Sequence, residues 1–429
     1  MLSGIRKLLE KTNNISRSAY MWNAINACLA AVECPVILMV MTRTNSVYDA
    51  GVFSIAYAVA SLMLYLGQYG LRRFQSSDVL EKYSFREYHG MRFLTCGIMV
   101  LASLGYCIYG AVLLNYNMNK FLVILLVCML KYVQAYTDVF HGRMQQKGRL
   151  DVATKCSAAR YVLEMLTCCL FLVFTGNMLL AVSACLAVSV TEAMLTSVNE
   201  GKNFGGSLKP SFKLQKIKML LIEGFPIFVS LFLNVYIGNA PKYAIDAYMT
   251  EEMQAYYNFI FMPAFVVGLL AHFIFNPILT TYAELWVAKE REPFVKLVKL
   301  IRKQCYIILG ITALGILVAF TIGIPLISLI FGVDLTGYRM QLVIIMVGGG
   351  MLAYATFFAT VLTIMRKQSV MLICYAVAAV SAWLISRPMV IRYEMTGAAV
   401  LYTSIMSFLA IMLFITLYVG IKRERRGIK

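Results

Sequence analysis

Lys131 and Asp138 stand seven residues apart in one unbroken apolar stretch. On a helix that spacing puts both on one face, about 10 Å apart at 1.5 Å per residue. Arg160 and Glu164 are an i,i+4 pair in the following stretch, where opposite charges on a helix meet and neutralise each other. Glu33 lies deep in the first stretch, and neither it nor Lys131 has a partner close in sequence. An ion in apolar surroundings is costly, so each of these is a candidate for binding an opposite charge or exchanging a proton or cation. Glu33 and Asp138 are the acids suited to such exchange. Glu192 and Glu223 fall near the ends of apolar stretches, where simple interfacial solvation is expected. Asn23, Asn26 and Asn234, with Asn258 and Asn276, offer amides that suit sugar hydroxyls or join helices. Pro35, Pro226, Pro263, Pro277 and Pro325 each remove a backbone donor and loosen a turn.

Enzymatic signatures are absent. The chain has no Walker A motif, no GxSxG and no HExxH, and His89, His141 and His272 are scattered. The eleven cysteines include no CxxC, and nine lie inside apolar runs. Neither a disulfide framework nor a metal or cofactor site is expected.

Stretches of this kind need elements that tolerate hydrocarbon. Of 429 residues, 60% are hydrophobic and 14% charged, against about 25% charged in a typical soluble protein. Continuous apolar runs of 18 or more residues read as membrane-spanning helices, since each spans a slab roughly 30 Å thick. Twelve such spans are expected, at about 18–42, 50–71, 92–114, 120–140, 153–175, 178–199, 219–239, 254–281, 304–330, 341–364, 369–387 and 396–421. The longest polar stretches run to about 20 residues, too short for a core of their own. The basic start followed by an apolar run has the look of a signal peptide, but eleven further runs favour a retained first helix.

The net charge of +18 records topology. Sorted by loop, 31 of the 39 lysines and arginines fall on one side and six on the other, with Lys131 and Arg160 inside spans. Every alternate loop shows the bias, so by the positive-inside rule the rich side, with both termini, is cytoplasmic. The basic loops then meet anionic lipid, and nucleic acid is not an expected partner. The expected fold is thus all-α and integral to the membrane. It divides into two six-helix bundles, 1–205 and 206–429. Weak matches at an offset of 220 support a parallel repeat, Ala135-Tyr136-Thr137 before Lys147 against Ala355-Thr356-Phe357 before Lys367.

Two passages carry a family likeness. One is Tyr69-Gly70-Leu71-Arg72-Arg73-Phe74-Gln75, preceded by Asp49-Ala50-Gly51-Val52-Phe53-Ser54. The other is Asn239-Ala240-Pro241-Lys242-Tyr243-Ala244-Ile245-Asp246, followed by Met262-Pro263-Ala264-Phe265. Both resemble Wzx-type polysaccharide biosynthesis proteins, the lipid-linked oligosaccharide flippases of the MOP superfamily. The resemblance implies a V-shaped pair of bundles in the bacterial cytoplasmic membrane, around a cationic cavity that opens alternately to each side. It implies export of undecaprenyl-pyrophosphate-linked repeat units for O-antigen, capsule, exopolysaccharide or a teichoic-acid-like polymer. An H⁺ or Na⁺ gradient would drive it, with a polysaccharide polymerase and glycosyltransferases as neighbours. A dianionic headgroup needs fixed cations. The candidates are Arg17, Arg43, Lys131, Arg160 and Lys242, with Lys242 the closest motif match and the others chosen by depth.

Two alternatives stand beside this one. A MATE-like drug or cation antiporter shares the fold and would want unpaired acids such as Glu33 or Asp138 in its cavity. A membrane polymerase or ligase would need a large external loop. The external loops here are short, little more than Gly176-Asn177 between the fifth and sixth spans.

Overall fold

The computed structural model describes residues 6, 9–78, 80–275, 278–288 and 290–427, with the side chains at 269, 272–275, 280 and 424–427 excepted. Asn276, Pro277 and the His272 side chain therefore lie outside the described residues. Within them the chain is helical and has no strand. Helices overlap each of the twelve expected spans. Among the described residues, ten helical stretches are long and apolar enough to cross a membrane. One of these, Gln368–Arg423, bends at Glu394 (φ 48°, ψ −128°) into two helices.

Side-chain caps set several helix starts. In α1 (Ile15–Thr44) the Asn14 side chain accepts from the Arg17 N–H, and in α2 (Val47–Gln68) Ser46 accepts from Asp49. Each satisfies a donor that the first turn leaves free. Tyr69 and Gly70 then take left-handed backbone (φ 51° and 65°) and turn the chain into the short α3 (Leu71–Ser77). Four long helices follow: α4 (Phe85–Leu113), α5 (Met118–Gln146), α6 (Leu150–Thr175) and α7 (Met178–Ala193). α7 runs on through a π turn, Met194–Val198, into α8 (Asn199–Asn203).

The chain divides into two compact units, Met1–Phe232 and Leu233–Lys429. In the first, α2 is innermost, with 78% of its apolar window buried against 22% in α1. It packs on α5 and α4, while α6 packs on α1 and α7. α9 (Leu214–Tyr248) begins in this unit and ends in the second.

The second unit holds α10 (Glu251–Phe275), α11 (Leu279–Val287), α12 (Arg291–Val318), α13 (Ile324–Phe331), α14 (Arg339–Ile364) and the bent α15 (Gln368–Gly427). α14 is its centre and packs against α10, α12 and α15. Gly348-Gly349-Gly350 allows this approach: a Cβ on Gly349 would meet the Ala264 carbonyl oxygen at 2.7 Å. Small residues of this kind let helix backbones close on one another in lipid. The two units differ in polarity. Among the described residues, every buried charged side chain belongs to the first unit, and the buried polar groups of the second are neutral.

Candidate functional site

Glu33, Tyr57, Lys131 and Glu164 come from α1, α2, α5 and α6 and meet inside the first unit. On α1, Glu33 shares its buried face with Ile37, Leu38 and Met41, the spacing of one helical stripe. Lys131 Nζ lies 2.9 Å from Glu33 Oε2. The Tyr57 hydroxyl donates to the same oxygen at 2.6 Å, and Lys131 Nζ donates to that hydroxyl at 3.3 Å. The Lys131 and Glu33 side chains are 7% and 5% exposed. Lys131 also lies over the Tyr57 ring, 4.4 Å from its centroid, a cation–π contact strengthened by desolvation.

Glu164 completes the cluster. Arg160 Nε stands 3.7 Å from Glu164 Oε1, the i,i+4 pair expected from sequence. Ser189 of α7 donates to that oxygen at 2.5 Å. Arg160 is only loosely held, because its Nε and Nη1 have no hydrogen-bond partner among the described residues. Two acids thus face two cations. Glu33, Tyr57, Lys131 and Glu164 line a cavity of about 20 Å³, room for one water molecule and far too little for a sugar.

Lys131 and Asp138 belong to different clusters. Asp138 is clamped by Arg92 Nη2 at 2.9 Å and Arg72 Nη1 at 3.4 Å. Arg92 is wholly buried and also donates to the Gly67 carbonyl, which accepts from Thr95 at 2.8 Å as well. Asp138 is therefore engaged by two guanidinium groups. Sequence reading missed Arg92 by counting it with the loop charges at the very start of the third span. The helix starts seven residues earlier, at Phe85. Glu87, whose carboxylate accepts from the Ser84 N–H at 2.9 Å, carries the signal that would have found that start.

Glu192 departs from expectation too. It is 5% exposed rather than solvated, because the helix does not end there but continues to Asn203. Glu223 pairs with Lys82 at 2.9 Å and accepts from the Tyr83 hydroxyl at 3.2 Å.

The remaining candidates of the first unit do not line the cavity. Arg17 and Asn23 are exposed and Asn26 is half-buried. Arg43 is exposed at the far end of α1, about 39 Å along the axis from Arg17. In the second unit, Asn234 and Lys242 are half-buried, with Lys242 Nζ 4.7 Å over the Phe261 ring.

No protein-family model and no curated protein matches the chain. Solved structures do. One is an inward-facing multidrug resistance MATE family transporter of the MOP superfamily, with a TM-score of 0.66 at 10% identity over 92% of this chain and 96% of that one. Another is the Vibrio cholerae MATE transporter VcmN in its bent form, with a TM-score of 0.61 at 13% identity over 97% and 99%. A third is a MOP superfamily transporter from Pyrococcus furiosus, described as having a binding pocket of reverse polarity that suggests a different function. Its TM-score is 0.58 at 11% identity over 98% of both chains. The class is that of polytopic helical membrane proteins. Within it, the chain has the fold of the MATE transporters of the MOP superfamily.

Proposed function

We propose that this protein is a proton-coupled secondary transporter that flips an anionic, pyrophosphate-linked oligosaccharide on a polyprenyl carrier across the bacterial cytoplasmic membrane. The observation that carries the reading is the pairing of Lys131 with Glu33 beside Arg160 and Glu164. Each acid already faces a fixed cation, so the cavity offers no free negative charge to a cationic drug. Its size restricts it to water or a proton. Sodium fits poorly, because it takes several oxygen ligands and the Lys131 ammonium already sits 2.9 Å from Glu33. This reading moves Lys131 and Arg160 from the cargo site to the coupling centre. Arg17, Arg43 and Lys242, with Asn23, Asn26 and Asn234, remain the proposed contacts for phosphate and sugar.

Coupling follows from electrostatics. A proton added to Glu33 removes the anion that faces Lys131. A buried ammonium without its partner is costly, so the protonated cluster favours a conformation that admits water. The proton then biases one of two states, which is all that a driving ion must do. Alternating access would convert that bias into movement of cargo. A polymerase and glycosyltransferases are the proposed neighbours, since the cargo must be built on one side and consumed on the other.

The MATE-type likenesses favour a second reading, an antiporter of cationic drugs. One experiment separates the two. Cells lacking their own flippase are complemented with this chain, and surface polysaccharide and efflux of a fluorescent organic cation are both measured. Restored polysaccharide, lost in Lys131→Ala and in Lys242→Ala at unchanged protein level, supports the flippase. Cation efflux with no polysaccharide would replace it with the antiporter.

A further inference from the structure

The buried face of α7 and its continuation carries a line of polar groups that the coupling centre does not use. Ser189, Glu192, Thr196 and Glu200 are exposed by 0%, 5%, 8% and 0%. Ser189 reaches Glu164, and Thr196 donates to Glu192 Oε1. Eight residues of regular helix would turn Glu192 and Glu200 about 80° apart at 3.6 residues per turn. The π turn at Met194–Val198 lies between them, and its wider turns take out most of that rotation. Among the described residues, both acids keep an oxygen without a hydrogen-bond partner, Oε2 of Glu192 and Oε1 of Glu200. Arg160 pairs with Glu164 at 3.7 Å, keeps Nε and Nη1 without a hydrogen bond among the described residues, and interacts through charge with Glu192 as well.

The line extends to the surface. Glu200 accepts from the Asn203 amide at 3.4 Å and interacts through charge with Glu10, Arg6 and Arg149, and the Glu10 side chain, paired with Arg6 at 3.0 Å, is 28% exposed. The segment that carries Glu10 is fastened by Lys155, which donates to the Leu9 carbonyl at 2.7 Å, and by Arg149, which donates to the Glu10 carbonyl at 3.1 Å. Cys156 of α6 interacts through charge with Glu192 and Glu200, and His141 of α5, which contacts the Ser197 hydroxyl at 2.8 Å, with Arg72 and Arg160.

We infer that Glu10, Glu200, Thr196 and Glu192 form a proton relay from the basic end of the first unit to Glu164 and Glu33. It rests on the proton-coupled reading of Glu33 given above. Glu192, Thr196 and Glu200 follow one another at about 6 Å along the helix axis, a step that one bridging water covers. A proton from hydronium binds one carboxylate oxygen, and the carboxyl passes its proton on from the other, so each acid returns to its starting charge. The free oxygens of Glu192 and Glu200 suit them to this exchange. Arg160 keeps its own proton and holds the anionic form of Glu192 between transfers.

The test times protonation of Glu33 in full-length protein reconstituted in liposomes. A rapid acid jump is applied, and the carboxyl C=O stretch of protonated Glu33 is followed by infrared spectroscopy. That band is identified by its loss in Glu33→Gln. Glu192→Gln and Glu200→Gln are expected to slow its appearance about tenfold or more, without changing its final amplitude. Glu192→Asp, which keeps a carboxylate, is expected to restore the rate. Thr196→Val removes the bridging hydroxyl at constant shape and is expected to slow it as well, which covers a glutamine variant that fails to fold. Unchanged rates in the folded Glu192, Glu200 and Thr196 variants would overturn the relay while leaving Glu33 as the coupling acid. A wild-type protein with no titrating Glu33 band would overturn both.

Discussion

A lysine and a glutamate drawn together in a dry interior gain less than their attraction suggests, because both lose their hydration. Removing one partner is the costly change. Glu33→Gln takes the paired anion from the Lys131 ammonium, 7% exposed, so stability should fall by about 3–5 kcal/mol. Glu33→Gln with Lys131→Met should recover most of that. Thermal unfolding of the purified single and double variants measures the cycle, and a single variant as stable as wild type would mean that the pair is not sealed. Asp138→Asn should cost a similar amount, because it strands the wholly buried Arg92. Arg72→Ala should cost only about 1 kcal/mol, since Arg72 is 28% exposed and already hydrated. The ions themselves were legible in the sequence, as charges inside apolar runs. Their pairing was not, because 98 residues separate Lys131 from Glu33. Tyr57, which completes the site, is one of 26 evenly spread tyrosines and carries no signal of its own.

Helices were legible for a different reason: hydrocarbon permits few alternatives, so apolar length alone locates a span. The ends were harder, because polar residues that begin or finish a helix look like loop. The turn from α3 to α4 is such a place, and Asp78 organises it. Its carboxylate accepts from the Lys82 and Tyr83 N–H groups at 2.8 and 3.1 Å, and from the Tyr88 hydroxyl at 2.8 Å. Burial alone would raise its pKa, but the two N–H groups and the hydroxyl outweigh that and hold it below its ordinary value of 3.8. A carboxyl depressed on folding contributes stability that is complete above the ordinary value and lost as pH falls through the depressed one. The turn should therefore resist an acid-active protease down to about pH 4 and open below it. Asp78→Asn should open at neutral pH, at a cost of about 1–2 kcal/mol. Cleavage between residues 78 and 84, followed against pH, reads this directly. In the second unit, Gly349→Val should separate α14 from α10 and cost about 2–4 kcal/mol in overpacking, read as loss of monodisperse protein in detergent.

At the scale of the whole chain, orientation is written in charge and not in any single contact. The segment 201–218 carries five lysines. Moving it across a membrane held at about 100 mV, negative inside, would cost about 2.3 kcal/mol per charge, or ~11 kcal/mol in all. The same penalty recurs at each basic loop, so reversing the chain means opposing all of them together. Miscounting by one helix would reverse only the loops that follow it and would leave some basic loops on the wrong side. The bias in every alternate loop therefore supports both the parity of the count and the direction of insertion. Single cysteines introduced into a variant lacking the exposed Cys28 test this with a membrane-impermeant thiol reagent. Asn177→Cys, at the turn between α6 and α7, should label in intact cells. Lys147→Cys and Lys213→Cys should label only after the membrane is opened. Labelling of Lys213→Cys from outside would invert the chain, place Glu10 and the entrance to the α7 line on the external face, and turn the proposed direction of proton entry round with it.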